Sequence, residues 1–172
     1  MSLLTLLRKR RSVRRFLNNP VPQRTQARLK EACLRAPSGN DIQPWTFYFV
    51  ENPTLRATLS KLKPQHAGFL RQAPLCVVIS ASDKGCDTWI EDCSIATILL
   101  QMAATDAGLG SCWVQVHKRR RADGSSSEEY VREAVGIPVG HRVLCVVALG
   151  YPALEPKTIP AEKLLWDRIW RM

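Results

Sequence analysis

The stretch that most restricts how this chain can fold is residues 89 to 107, WIEDCSIATILLQMAATDA. It is long enough for a helix of five turns, and it is apolar or small nearly all the way round. A helix of that kind cannot lie on a solvated surface; it is buried in a core or against a partner chain. In a chain of 172 residues, about one domain's worth, it belongs at the centre. A dimer interface is the economical explanation for its second apolar side. Gly108 ends it as a C-cap, with Gly110 two residues on.

The elements around this helix follow from periodicity and breakers. LCVVIS (75–80) and VLCVVALG (143–150) are continuous apolar runs of the sort that form strands buried on both faces. TFYFV (46–50) and SCWVQV (111–116) read as further strands. Helices are expected over 2–11, over Gln23 to Ala36 where Pro37 stops the run, over 53–63, and from Ser127 onward where SSSEE supplies N-cap chemistry. Helices alternating with buried strands give α/β or α+β, with one central sheet covered on both faces. No repeat or linker divides the chain, so residues 1–172 form a single domain. The tail holds Pro152, Pro156 and Pro160 and then Trp166 and Trp170, which is the composition of an arm that packs onto something else, such as another subunit.

Charge and cysteine usage restrict the function classes. Lys and Arg number 25 against 15 Asp and Glu, a net charge of +10, so the surface attracts anions: nucleic acid, anionic lipid or a phosphate-bearing small molecule. Arg8 to Arg11 with Arg14 and Arg15 form one basic cluster, and Lys118 to Arg121 another; the default reading of such runs is a solvated face. The six cysteines form no C-x-x-C pair and are not grouped with the three histidines, so no metal site is expected, and most sit in apolar company as buried thiols. Arg8 to Arg11 interrupt the first apolar stretch before it could serve as a secretory h-region, and no run reaches the ~18 apolar residues of a membrane span. A reducing, cytoplasmic setting with no membrane association is expected.

Three segments could carry chemistry. In RKRRSVRRF (8–16), an extended backbone would turn Arg10, Ser12 and Arg14 to one side as a phosphate clamp; otherwise it is a basic helix end. In APSGNDIQPW (36–45), a polar loop beside a core strand offers amides and backbone N–H groups to the edge of a heterocycle, or is simply a connection. In GLGSCWVQV (108–116), two glycines permit backbone to approach a flat ring, or merely cap a helix before a strand. No G-x-G-x-x-G fingerprint, Walker A motif or Ser-His-Asp set accompanies them, and no catalytic side chain is expected.

Taken together and in this order, these segments resemble the nitroreductase family. The resemblance rests on Arg10-x-Ser12-x-Arg14-x-Phe16, Ala36-Pro37-Ser38 with Gln43-Pro44-Trp45, Ala73-Pro74-Leu75-Cys76-Val77-Val78, Gly108-Leu109-Gly110 with Trp113, and Leu149-Gly150-Tyr151-Pro152. It spans about residues 3–170. It implies an α+β fold, a central mostly antiparallel sheet flanked by helices, and a helix-mediated homodimer with two FMN sites at the interface. It implies oxidoreductase chemistry carried out on the flavin, with NADH or NADPH as donor and a nitroaromatic, quinone or conjugated alkene as acceptor. Carried over by position, Arg10 and Ser12 would hold the FMN phosphate with Arg11 contributing, and Arg14 would face the pyrimidine edge. Pro37, Ser38 and Gly39 of the partner subunit would lie by the isoalloxazine, with Asn40 and Gln43 as the loop's amides. Backbone at Val114 and Gln115 would sit near N5 and O4, His66 near O2, and Gly150 and Lys157 would close over the phosphate end.

This sequence departs from the family pattern at the loop, where Asp41 stands in an Asn position and Asn40 precedes it, and at His66, where the family often has Asn. The segments that often roof the substrate pocket are expected to be short. Two other readings use the same residues: a flavin-binding sensor or store of this fold without turnover, and a basic nucleic-acid-binding protein. The latter has charge in its favour but no helix-turn-helix, zinc finger or aromatic-basic sheet pattern, so no nucleic-acid partner is expected.

Overall fold

In the computed structural model, which describes residues 2–172, the chain builds a four-stranded sheet with helices on both faces. The elements are α1 (Leu3–Lys9), α2 (Gln23–Leu34), β1 (Trp45–Val50), α3 (Pro53–Leu59), β2 (Leu75–Ser82), α4 (Trp89–Asp106), β3 (Gly110–Gln115), α5 (Ser127–Val135) and β4 (His141–Gly150). Strand order is β1-β2-β4-β3, and every pairing is antiparallel. The two apolar runs of the sequence are thus the inner strands, β2 and β4. Helix cover on both sides, rather than parallel pairing, is what makes them apolar throughout.

Alternation along the strands feeds two cores. Leu75, Val77 and Ile79 of β2 with Val147 and Leu149 of β4 face α2 and α4, where Leu29, Cys33, Ala96 and Leu100 meet them. Cys76 and Val78 with Val146 and Ala148 face the opposite side, filled by Leu59, Leu62, Leu70 and Val131 from α3, α5 and the turns between. All nine strand residues are fully buried. Burying such side chains is worth about 1.5–3 kcal/mol each, which fixes the register, because a one-residue slip would exchange the two cores.

The helices begin and end close to where the sequence places them. Asn52 caps α3 by accepting the Leu55 N–H at 3.0 Å, and Ser126 caps α5 by accepting that of Glu129 at 3.3 Å. Helix α3 stops at Leu59 rather than running to 63. Lys61 and Leu62 bond back only three residues, to Thr58 and Leu59, because Pro64 drives the preceding backbone out of the helical region. Helix α4 is the exception to expected all-round burial. Trp89, Cys93, Ala96, Leu100 and Ala104 lie on the sheet, while Ile95 and Ile98 on the other side each remain 39% exposed within one chain.

Two further segments leave apolar surface in the open. Helix α1 buries nothing, and Leu3, Leu4 and Leu7 are exposed. The tail after Pro152 is exposed almost throughout, with Leu165, Trp166, Ile169 and Trp170 among its side chains. No helix among the described residues is long and apolar enough to cross a membrane.

Candidate functional site

The site begins where α1 gives out. Arg10 caps the helix through its N–H to Leu6 O and then turns extended, at φ −61°, ψ 122°. From there residues 12–17 run along the outer edge of the sheet. Ser12 bridges Ser111 in parallel, and the Val13 N–H donates to Ser111 O at 2.9 Å. Phe16 bridges Pro152, and the Leu17 N–H reaches Tyr151 O. The extended backbone that would let Arg10, Ser12 and Arg14 share a side is therefore present. Its position depends on Gly110, where any Cβ would fall 2.7 Å from the Val13 side chain. Gly150 has a comparable packing reason, since a Cβ there would meet Pro74 at 2.5 Å.

The side chains gathered here are cationic. The Cys112 thiol is pushed up by burial, against the pull of Arg14, a hydrogen bond with Ser12, and the charges of Lys63 and Arg10, all near it. Lys63 is pushed down by partial burial, then by the charges of Arg119 and Arg14. None of the ion pairs among the described residues engages Arg10, Arg11, Arg14, Lys63 or Arg119. An uncompensated group of cations on the rim of a sheet is a site for an anion. Lys63 and Arg119 escape sequence reasoning, because KLKP follows a helix with no motif and Arg119 hides in a basic run that reads as solvated surface.

Two grooves open beside this group. One, of about 650 Å³, lies between α1 and the tail and is lined by Leu4, Leu7, Arg10, Arg11, Ile159 and Trp166, among others. The other, about 350 Å³, is bounded by Arg10, Arg11, Val13, Gly110, Pro156 and Thr158. Arg10 and Arg11 face both. Lys157 lines neither, although its neighbours Pro156 and Thr158 do.

On β3 the Ser111 carbonyl points outward to Val13, so alternation directs the backbone groups of Trp113 and Gln115 outward as well. Those of Val114 point to β4, and its side chain is buried in the second core. The outward backbone is therefore that of Trp113 and Gln115, not of Val114. The Gln115 side chain is held by the Trp113 indole, which donates to its Oε1 at 2.8 Å. His66 is exposed in a left-handed turn, φ 61°, three residues beyond Lys63.

The Pro37–Gln43 loop lies elsewhere. Gly39 donates its N–H to Asp92 Oδ1 at 3.0 Å, near the start of α4, and Ser38 Oγ accepts the Gln43 N–H at 2.9 Å. Asn40, Asp41 and Gln43 all have positive φ, at 49°, 55° and 49°. Asp41 accepts from the Gln43 side-chain amide at 2.7 Å, so the acidic departure from the family pattern organises the loop internally. The groove beside Arg10 lies against Thr105 and Asp106, at the other end of α4. Fourteen residues of helix separate Asp92 from Asp106, about 20 Å. One chain thus brings Arg10, Arg11, Ser12 and Arg14 together but leaves Pro37, Ser38, Gly39, Asn40 and Gln43 at the far end.

Comparison with known proteins gives this arrangement its context. The model of the nitroreductase family matches residues 7–65 and 60–151. A protein of Archaeoglobus fulgidus named "Putative NADH dehydrogenase/NAD(P)H nitroreductase" is 31% identical over 98% of this chain and 96% of its own length. One of the same name from Methanothermobacter thermautotrophicus is 30% identical over 92% of this chain and 81% of its own. Among solved structures, the FMN-dependent nitroreductase of Clostridium difficile R20291 superposes with a TM-score of 0.96 at 33% identity, covering 98% of both chains. By sequence and by its α+β fold, the chain belongs to the nitroreductase family.

Proposed function

We propose that this protein is an FMN-dependent oxidoreductase that takes reducing equivalents from NADH or NADPH and passes them to a small acceptor such as a nitroaromatic, a quinone or a conjugated alkene. The observation that carries this reading is the unpaired cationic group of Arg10, Arg14 and Lys63, with the Ser12 hydroxyl, laid along the outer edge of β3. It joins a place for an anion to an edge of backbone groups that can read a heterocycle. When bound, FMN supplies the hydride and electron chemistry; the protein supplies position and electrostatics.

In this reading Arg10 and Ser12 hold the phosphate by charge-assisted bonds, with Arg11 beside them. Arg14 faces the pyrimidine edge, and the outward backbone of Trp113 and Gln115 meets the ring. Gly150 serves by letting Phe16 and Pro74 close behind the clamp. Lys157 and His66 are candidates for outer contacts at the phosphate and pyrimidine ends.

The working unit is a homodimer. The clamp and the Ser38–Gln43 loop sit at opposite ends of α4, so a two-fold pairing along that helix would set the loop of each chain over the clamp of the other. The exposed Ile95 and Ile98, the leucines of α1 and the apolar tail supply surface for such a pairing. Two FMN sites then lie at the interface, each with Ser38 and Gly39 of the partner subunit facing the ring.

The test is optical. Purified protein reconstituted with FMN is expected to be yellow, to bleach anaerobically with NADH or NADPH, and to recover colour on adding a quinone or nitroaromatic. Failure to retain FMN overturns the reading. Retention without bleaching by either nucleotide replaces it with a flavin store or sensor. Sedimentation at micromolar concentration is expected to give twice the chain mass, and an FMN-loaded monomer would refute the two-chain site.

A further inference from the structure

We propose that Asp92 is the positioning residue of the Ser38–Gln43 loop, and that through this loop it shapes the flavin site of the partner subunit; the second clause rests on the FMN reading above. Asp92 lies in the first turn of α4 and is 3% exposed. No cation pairs with it among the described residues. Its Oδ1 accepts the Gly39 N–H at 3.0 Å. Its Oδ2 accepts the Thr88 hydroxyl at 3.1 Å and the Cys86 thiol at 3.6 Å. Three neutral donors and the positive end of an 18-residue helix thus compensate a buried carboxylate.

The loop depends on that carboxylate. Asn40, Asp41 and Gln43 occupy left-handed backbone, which is unfavourable for residues with a side chain. The remaining bonds of residues 37–43 are internal: Asp41 N–H to Ser38 O, Ile42 N–H to Gly39 O, Gln43 N–H to Ser38 Oγ, and Gln43 Nε2 to Asp41 Oδ1. They set the loop's shape but not its place. Among the described residues, the bond from Gly39 to Asp92 is the only hydrogen bond tying residues 37–43 to the rest of the molecule. Gly39 is suited to the contact, since a Cβ there would fall 2.8 Å from Thr88 Oγ1. A carboxylate fits the post because its two oxygens take all three donors at once, whereas an alanine would leave the Gly39 N–H without its acceptor.

Three variants and a mixed dimer test this. Amide hydrogen exchange in the flavin-free protein reads the tether directly. Asp92→Ala is expected to abolish protection of the Gly39 amide, and Asp92→Asn, which keeps an acceptor oxygen, to retain it. Gly39→Ala leaves the carboxylate intact but crowds Thr88, and is expected to lose protection as well. Protection unchanged in Asp92→Ala overturns the assignment whatever the protein binds.

In the holoenzyme, Asp92→Ala is expected to weaken FMN and riboflavin by the same factor, roughly ten-fold. Co-expressed Asp92→Ala and Arg10→Ala chains separate a role in trans from a role in cis. A mixed dimer has one site built from an intact clamp and an intact loop, so half its sites are expected to bind FMN with wild-type affinity. If every site is weak, the loop serves its own chain and the second clause falls. If the wild-type protein takes up no flavin, the functional reading fails, while the exchange result still decides the tether.

Discussion

Val13 and Gly110 stand in van der Waals contact so close that a Cβ on Gly110 would lie 2.7–2.8 Å from the Cβ and both methyls of Val13. This contact, with the Val13 N–H to Ser111 O bond beside it, presses the basic segment against β3. Gly110→Ala is expected to push that segment outward. Overpacking typically costs about 1–3 kcal/mol. At about 2–4 °C per kcal/mol for a chain of this size, thermal unfolding should fall by several degrees. FMN retention should fall with it. An Ala variant as stable as wild type would mean that Val13 yields freely and that the glycine does not fix the clamp.

A second cluster, away from the clamp, makes stability depend on pH. Glu128, in the first turn of α5, lies 2.8 Å from His117 Nδ1 and accepts from Arg142 Nε at 3.1 Å and from the N–H groups of Lys118 and Val143. Burial raises its affinity for a proton, but the bonds from Arg142, Lys118 and Val143 outweigh it and hold the carboxyl below its usual range. The folded state therefore binds the proton less well than the unfolded one. The resulting stabilisation is complete above the ordinary glutamate range near ~4.3 and disappears as pH falls through the lower folded value. Glu128→Gln is expected to cost about 1–3 kcal/mol at pH 7, with the gap from wild type closing below about pH 4. Urea unfolding at pH 7, 5 and 3.5 measures it. A gap independent of pH would assign the loss to packing alone.

The thiols are expected to be silent. All six cysteines are buried. Burial pushes Cys33, Cys76 and Cys93 up to about 12, and Cys145 well above its ordinary value. Since the thiolate is the reactive form, a chromogenic disulfide reagent at pH 8 should label none rapidly in the native protein and all six after denaturation. Fast labelling of one native thiol would reveal local opening around that residue.

How much of this was legible in the sequence differs between elements and site. LCVVIS and VLCVVALG declare themselves as inner strands because full burial leaves a continuous apolar signature, and WIEDCSIATILLQMAATDA declares α4 for the same reason. That Ile95 and Ile98 stay 39% exposed within one chain is not legible, because a run apolar all the way round does not say which of its sides meets the sheet. The extended course that groups Arg10, Ser12 and Arg14 beside β3 is legible from spacing joined to family likeness, while their role toward a phosphate is a proposal. Lys63, Arg119 and Asp92 are not legible, since each earns its place by contact with residues tens of positions away. Arg121 is a case of overlooked structure within a charge run: it stacks 4.0 Å over the Tyr130 ring and pairs with Asp123 at 2.7 Å, rather than merely solvating a face.

Arg10 is expected to act through the phosphate. It lines both grooves and has no carboxylate among its ion-pair partners in the described residues. Losing one charge-assisted bond costs ~1.5–3 kcal/mol, or roughly ten- to a hundred-fold in affinity. Arg10→Ala should therefore weaken FMN by that factor and leave riboflavin, which lacks the phosphate, nearly unaffected. Fluorescence titration with the two flavins decides it, and an equal loss for both would contradict the role.

Arg14 separates binding from electronics. Arg14 is exposed, but its charge acts on Cys112 and Lys63, which sets it beside β3. At the pyrimidine edge a guanidinium meets little charge on the oxidised ring and a negative charge on the reduced one. It should favour the reduced state by electrostatic preorganisation. For a two-electron couple ~30 mV corresponds to about 1.4 kcal/mol, so a partly exposed contact worth ~1–2 kcal/mol moves the midpoint by some tens of millivolts. Arg14→Gln keeps the polar reach and removes the charge, and its midpoint is expected to be more negative than wild type in a spectroscopic reduction titration at fixed pH and salt. The shift should grow as ionic strength is lowered, where the charge that Arg14 contributes is least screened. An unchanged potential beside weakened FMN binding would make Arg14 a second phosphate contact and would move the ring away from this end of β3.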